Sequence, residues 1–195
     1  MIRAFVGVRI DPKMTQKISE VQSQLTRSLT GIRWVVQENL HFTLKFLGAV
    51  EEEKITSIIK AVGRVVRPAQ PFSLTAGGIG VFPDIRKPRV LWVGLEAQGL
   101  QTLSQEVEAA LEPLGFAPEK RGFKPHLTIG RWRNFTAKAQ RLKEEIDHWK
   151  DHDFGQSRVE EVVIFQSILK PNGAVYSPLQ IITLGTQADL FEKIE

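Results

Sequence analysis

Apolar and polar residues alternate with period two in several short runs of this chain and recur near every 3.6 residues between them, so strands and helices are expected in turn. Residues 2–10 read as a strand, and 12–29 as a helix with Ile18, Val21, Gln22 and Leu25 along one face. A strand is expected at 39–47 and a helix at 51–66. That helix opens with Glu51-Glu52-Glu53, carboxylates that favour the positive end of the helix dipole, and carries Ile55, Ile58, Ile59 and Val62 at helical spacing. Strands at 72–81 and 89–96 flank a Pro83–Pro88 loop, and 99–113 reads as a helix with Leu100, Leu103, Val107 and Leu111 on one face. The order then recurs as strand 123–131, helix 136–150 and strand 158–169, and a last strand at 175–184 follows the turn Lys170-Pro171-Asn172-Gly173.

Residues recur as well as elements. Asn39-Leu40-His41-Phe42-Thr43-Leu44-Lys45 is echoed by Lys124-Pro125-His126-Leu127-Thr128-Ile129-Gly130, the histidines 85 positions apart. Arg3-Ala4-Phe5-Val6-Gly7-Val8 resembles Val90-Leu91-Trp92-Val93-Gly94-Leu95, at an offset of 87. A two-fold duplication is not a solenoid, which needs at least about three stacked repeats; it predicts one domain over 1–195 with two pseudo-symmetric lobes. Strand alternation sets His41 beside Thr43, and His126 beside Thr128, on one face. Leu40, Phe42, Leu44, Leu127 and Ile129 then point to a core, and the two polar pairs are left facing a groove.

Two histidines on one groove can move two protons in one displacement. With an unperturbed pKa of about 6.5, one imidazole can accept a proton from a nucleophile while the other, protonated, donates to a leaving group. Phosphodiester cleavage needs both transfers and donors for the non-bridging oxygens, which the Thr43 and Thr128 hydroxyls could supply. A lone strand histidine is more often structural, but two complete copies in equivalent strands favour the functional reading. His148 and His152, near Asp147, Asp151 and Asp153, have the spacing of two metal ligands but read as a surface helix end, so neither a metal nor another cofactor is expected. Gly77-Gly78-Ile79-Gly80 lacks the Gly-Lys-Ser/Thr of a phosphate loop. Trp34, Phe82, Trp92, Phe123 and Trp132 are candidates to stack on a base, with Trp92 better suited to the core.

With 195 residues the chain can bury a substantial core, and with no cysteine it can use neither disulfides, thiolate catalysis nor cysteine-ligated zinc. No apolar run approaches the roughly 20 residues that span a membrane, so a cytoplasmic monomer with no membrane partner is expected. The formal charge of +4 is mild. Its local clusters are more informative: Arg86, Lys87 and Arg89 in one loop, and Lys120, Arg121, Lys124, Arg131 and Arg133 around the second histidine strand.

At these residues the chain resembles the two-histidine (2H) phosphoesterase superfamily, and within it the RNA 2′,3′-cyclic phosphodiesterases, also described as 2′-5′ RNA ligase-like proteins. Beside the two His-x-Thr motifs, Arg33-Trp34-Val35, Glu38-Asn39-Leu40, Phe46-Leu47-Gly48, the run Gly77 to Pro83, Pro88 to Trp92, and Pro113-Leu114-Gly115-Phe116 carry the likeness over nearly the whole chain. The resemblance implies an α+β bilobal fold, with two antiparallel sheets facing a central cleft and helices outside. It implies metal-independent hydrolysis of RNA or nucleoside 2′,3′-cyclic phosphate to a 2′-phosphate, on RNA ends that include tRNA. His41 would be the general acid and His126 the general base, with Thr43, Thr128 and Arg131 on the phosphate. Strict alternation puts Arg131 on the face opposite His126, so it reaches the cleft only if the strand ends or bulges near Gly130. Two other functions fit the residues: the reverse reaction, a 2′-5′ RNA ligase, and a non-catalytic module that binds RNA ends.

Overall fold

A computed structural model describes residues 1–119, 122–135, 138–170 and 173–186. Its strands are β1 (Ile2–Arg9), β2 (Ile32–Trp34), β3 (His41–Val50), β4 (Phe72–Phe82), β5 (Val90–Glu96), β6 (His126–Trp132), β7 (Asp153–Val159), β8 (Glu161–Lys170) and β9 (Gly173–Thr183). The helices are α1 (Pro12–Leu25), α2 (Ile55–Val66), α3 (Gln98–Leu111) and α4 (Ala139–Trp149). Asp11 starts α1 by accepting the Lys13 N–H at 2.7 Å, with Pro12 in the first turn, where its missing N–H costs nothing. The helix expected over 12–29 ends at Leu25, and a further turn carries Leu29 back into the core. The helix expected from 51 begins as a 3-10 turn, Glu52–Lys54. Pro171, Asn172 and the residues 136 and 137 at the expected start of the last helix lie outside the described residues.

All nine strands pair antiparallel in one strongly curled sheet of order β7-β4-β5-β6-β3-β1-β8-β9, with β2 added on β6. Its two antiparallel halves meet through one residue pair, Phe42 opposite Leu127. Each half takes strands from both halves of the sequence: β8 and β9 extend β1, whereas β4 joins β5. The helices cross over too, α1 packing on β7 and α3 on β3.

Helices cover one face of the sheet. There Val6, Phe42, Leu44, Leu127 and Ile129 pack with Met14, Ile18, Leu25, Leu100 and Leu103 in the main core. The alternate residues face the other way, and a smaller cluster of Phe5, Val163 and Phe165 with Tyr176 forms on that concave side. Burying a side chain of this size contributes about 1.5–3 kcal/mol, so the strand phase on both faces is strongly fixed.

Candidate active site

The two histidines open their strands in matching ways. His41 Nδ1 lies 2.6 Å from the Asn39 carbonyl and His126 Nδ1 lies 2.7 Å from the Lys124 carbonyl, each two residues back in the chain. A carbonyl only accepts, so Nδ1 carries the proton in both rings and Nε2 is left to exchange one. His41 Nε2 meets the Thr43 hydroxyl at 3.1 Å. Asn39 is itself tied down, its side-chain amide donating to the Ala174 carbonyl of β9 at 2.7 Å.

Pairing with the neighbouring strands fixes which residues share the concave face. Along β1, Phe5, Gly7 and Arg9 stand opposite Phe46, Thr43 and His41. Along β5, Val90, Trp92 and Gly94 stand opposite Arg131, Thr128 and His126. Since β1 and β5 alternate without interruption here, His41, Thr43 and Phe46 share one side, as do His126, Thr128 and Arg131. The extra residues are bulges, Leu44 in β3 and Ile129 in β6, and each turns the following side chains over. Arg131 is therefore on the face of His126, through a bulge immediately before Gly130. Gly130 suits the bend, because a Cβ there would come within 2.6 Å of Ile32 Cγ2.

Helix side chains bond the backbone of both bulged residues, Gln22 of α1 that of Ile129 and the buried Ser104 of α3, at 3.5 Å, that of Leu44. Gln22 of α1 donates from Nε2 to the Ile129 carbonyl at 2.8 Å and to the Val35 carbonyl at 2.9 Å. In the other half, the buried Lys45 that follows the bulge reaches Glu108 of α3 at 2.8 Å and the Ala117 carbonyl at 2.6 Å. Glu108 also accepts the Glu119 N–H at 3.0 Å, which ties the approach to the second histidine strand onto the first.

The surroundings of the imidazoles are apolar and aromatic. His41 lies 4.7 Å from the Phe5 ring, 5.9 Å from Phe165 and 5.0 Å, edge-on, from Tyr176. His126 meets Phe82 edge-on at 4.9 Å, and Phe82 leans on Trp92 at 5.2 Å. Burial pushes both imidazoles below their ordinary pKa; the carbonyl at Nδ1 opposes this, and the Arg131 charge lowers both further. Burial also pushes the Tyr176 hydroxyl up, against the same Arg131 charge. One guanidinium thus acts on ionisable groups from both halves of the sheet. Beside His41 a cavity of about 420 Å³ opens, with Arg9, Gln37, Glu38, Phe165 and Tyr176 in its walls.

A family model described as LigT like Phosphoesterase matches residues 8–92 and again 93–176, two matches that start as far apart as the two histidines. The chain belongs to the LigT-like phosphoesterase family. Relatives include the RNA 2′,3′-cyclic phosphodiesterase of Methanocaldococcus jannaschii, 35% identical over 92% of this chain and 99% of that protein. That of Aquifex aeolicus is 30% identical over 95% of this chain and 98% of its own. Among solved structures, TT0787 of Thermus thermophilus superposes with a TM-score of 0.82 at 28% identity, covering 96% of this chain and 100% of that one. E. coli LigT complexed with 3′-AMP gives 0.75 at 25% identity over 94% and 98%.

In this LigT-like chain the five motif residues named from sequence, His41, Thr43, His126, Thr128 and Arg131, all face the concave side. The aromatic candidates divide. Trp132 is buried in the core and donates its indole N–H to the Thr30 carbonyl, Trp34 packs beside it, and Phe123 sits edge-on against the buried Phe42. Trp92, expected in the core, lies on the concave face beside Thr128, its ring flat over Gly80, where a Cβ would come within 2.2 Å of it. His148 and His152 pack edge-on against Trp149. Among the described residues no group of three or more His, Cys, Asp or Glu could hold a metal. Arg86 and Lys87 lie in an exposed turn whose backbone N–H groups bond Asp84; Lys120 and Arg121 lie outside the described residues. Sequence reasoning missed Phe5, Phe165 and Tyr176 around His41, and Phe46. The repeat offers a signal for Phe46, because it stands 85 positions before Arg131.

Proposed function

We propose that this chain hydrolyses the 2′,3′-cyclic phosphate of an RNA end, or of a nucleoside, to a 2′-phosphate without a metal. One observation carries the reading: two imidazoles built alike, Nδ1 bound to a carbonyl, share one concave face under the charge of Arg131. The curated relatives named RNA 2′,3′-cyclic phosphodiesterase supply the substrate class. His126 takes a proton from water as its oxygen attacks phosphorus, the bond from phosphorus to O3′ breaks, and His41 gives its proton to O3′. Thr43, Thr128 and Arg131 hold the non-bridging oxygens as charge builds on them. A bound phosphodiester offsets the charge of Arg131 and so raises the pKa of His41, which the acid role requires. All these groups come from one chain, which supports a monomer as the working form; tRNA ends are among its substrates, and the cytoplasm is its compartment.

The test is product analysis with a nucleoside 2′,3′-cyclic phosphate for the parent protein, His41→Ala and His126→Ala. Each substitution should lower turnover by about 10²–10⁴-fold with little change in binding. A p-nitrophenyl phosphodiester, whose leaving group needs little protonation, should rescue His41→Ala and not His126→Ala. Rescue of the other variant reverses the two roles, and loss of turnover in excess EDTA overturns the metal-free mechanism.

A further inference from the structure

β2 is three residues long, yet it sets one charge against another. Ile32, Arg33 and Trp34 stand directly opposite Trp132, Arg131 and Gly130. Directly opposed residues of an antiparallel pair share a face. Trp132 and Gly130 are buried, and Ile32 and Trp34 pack against the core, so that Arg33 and Arg131 both project, exposed, from the concave side. Opposed Cα atoms lie about 4.5–5.5 Å apart, and like charges so placed destabilise the pair. Among the described residues no carboxylate forms an ion pair with either guanidinium. Two uncompensated cations held side by side are a place for an anion with more than one phosphate.

Arg131 already acts on both histidines, so the phosphate between them is its own. Arg33 stands on the edge of β6 that β3 also pairs, beside Arg131 and five residues along β6 from His126, next to whatever adjoins that phosphate. In an RNA that ends in a 2′,3′-cyclic phosphate, the adjoining anion is the phosphate on the 5′ oxygen of the terminal nucleoside. We propose that Arg33 binds this 5′ phosphate, so that the cleft selects the end of an RNA strand over a free nucleoside cyclic phosphate. The proposal rests on the cyclic phosphodiesterase reading and adds the substrate's second recognition point.

The experiment compares a nucleoside 2′,3′-cyclic phosphate with the same compound carrying a 5′ phosphate. The parent protein should prefer the latter in kcat/KM by roughly tenfold, the worth of one charge-assisted contact. Arg33→Gln should raise KM for the 5′-phosphorylated substrate by about that factor, leave kcat within about twofold, and leave the other substrate unaffected; Arg33→Lys should keep much of the preference. Equal effects on both substrates, or no effect on either, overturn the proposal. If the parent protein turns over neither compound, the cyclic phosphodiesterase reading fails, and titration with a nucleoside 2′-phosphate and the matching 2′,5′-bisphosphate decides the role of Arg33 separately. Weakening of the bisphosphate alone in Arg33→Gln supports it, and equal weakening of both, or none, overturns it.

Discussion

Replacing Gln22 with Met tests whether a helix residue sets the position of Arg131. Gln22 is buried, with 7% of its surface exposed, and its two amide N–H groups are spent on the carbonyls of Ile129 and Val35. Methionine keeps the volume and loses both donors. Each lost hydrogen bond costs about 1 kcal/mol net. The Ile129 carbonyl keeps the Val35 N–H at 3.0 Å, so a further desolvation cost of about 1 kcal/mol falls mainly on the Val35 carbonyl. The total of about 2–3 kcal/mol should lower the melting temperature of a chain this size by about 5–10 °C, read by circular dichroism. Because Ile129 is the bulged residue, kcat/KM at 25 °C should also fall by roughly tenfold or more while the protein stays folded, as Arg131 leaves its place. An unchanged melting temperature refutes the energetic argument. A lowered one with full activity refutes the coupling of Gln22 to Arg131.

Two further outcomes are expected. The positive charge of Arg131 disfavours the imidazolium form of both histidines, so Arg131→Gln should raise both pKa values and move both limbs of the bell-shaped kcat/KM profile to higher pH, besides lowering its height; limbs that stay in place contradict the shared field. Lys45→Met leaves Glu108 without its partner in a largely enclosed position, and urea denaturation should show a loss of roughly 3 kcal/mol; a change under about 1 kcal/mol would mean that water already screens the pair.

Alternation makes the histidine strands legible, because His-x-Thr with apolar residues between fits only a strand with one buried face. The same rule gives the wrong side for Arg131, since a bulge is decided by pairing with β1 or β5 and by donors on a distant helix, and period two carries no trace of either. Gln22 was visible as an amide within an apolar stripe, but its two acceptors are more than ten residues away in sequence. β2 is too short to establish a period, and β7 contains Gly155 at positive φ within a polar run, so neither is announced by its composition. The aromatic wall around His41 comes from positions 5, 165 and 176, on three strands that only the exchanged topology makes neighbours.

The duplication also sets how a substrate can lie in the cleft. Were the two halves of the sequence identical, the concave face would have true two-fold symmetry, and a phosphodiester could bind in either of two directions with the histidines trading places. Positions 46 and 131 break that degeneracy: one bulge presents a phenyl ring, 68% exposed, and the other a guanidinium. Joined in one chain, the copies are free to differ, so the cleft has a cationic end and an apolar end. A nucleotide, with its phosphate at one end and its base at the other, has that same polarity. Under the proposed reaction only one direction of binding matches both, and it would keep the same imidazole on the side of the departing oxygen in every turnover.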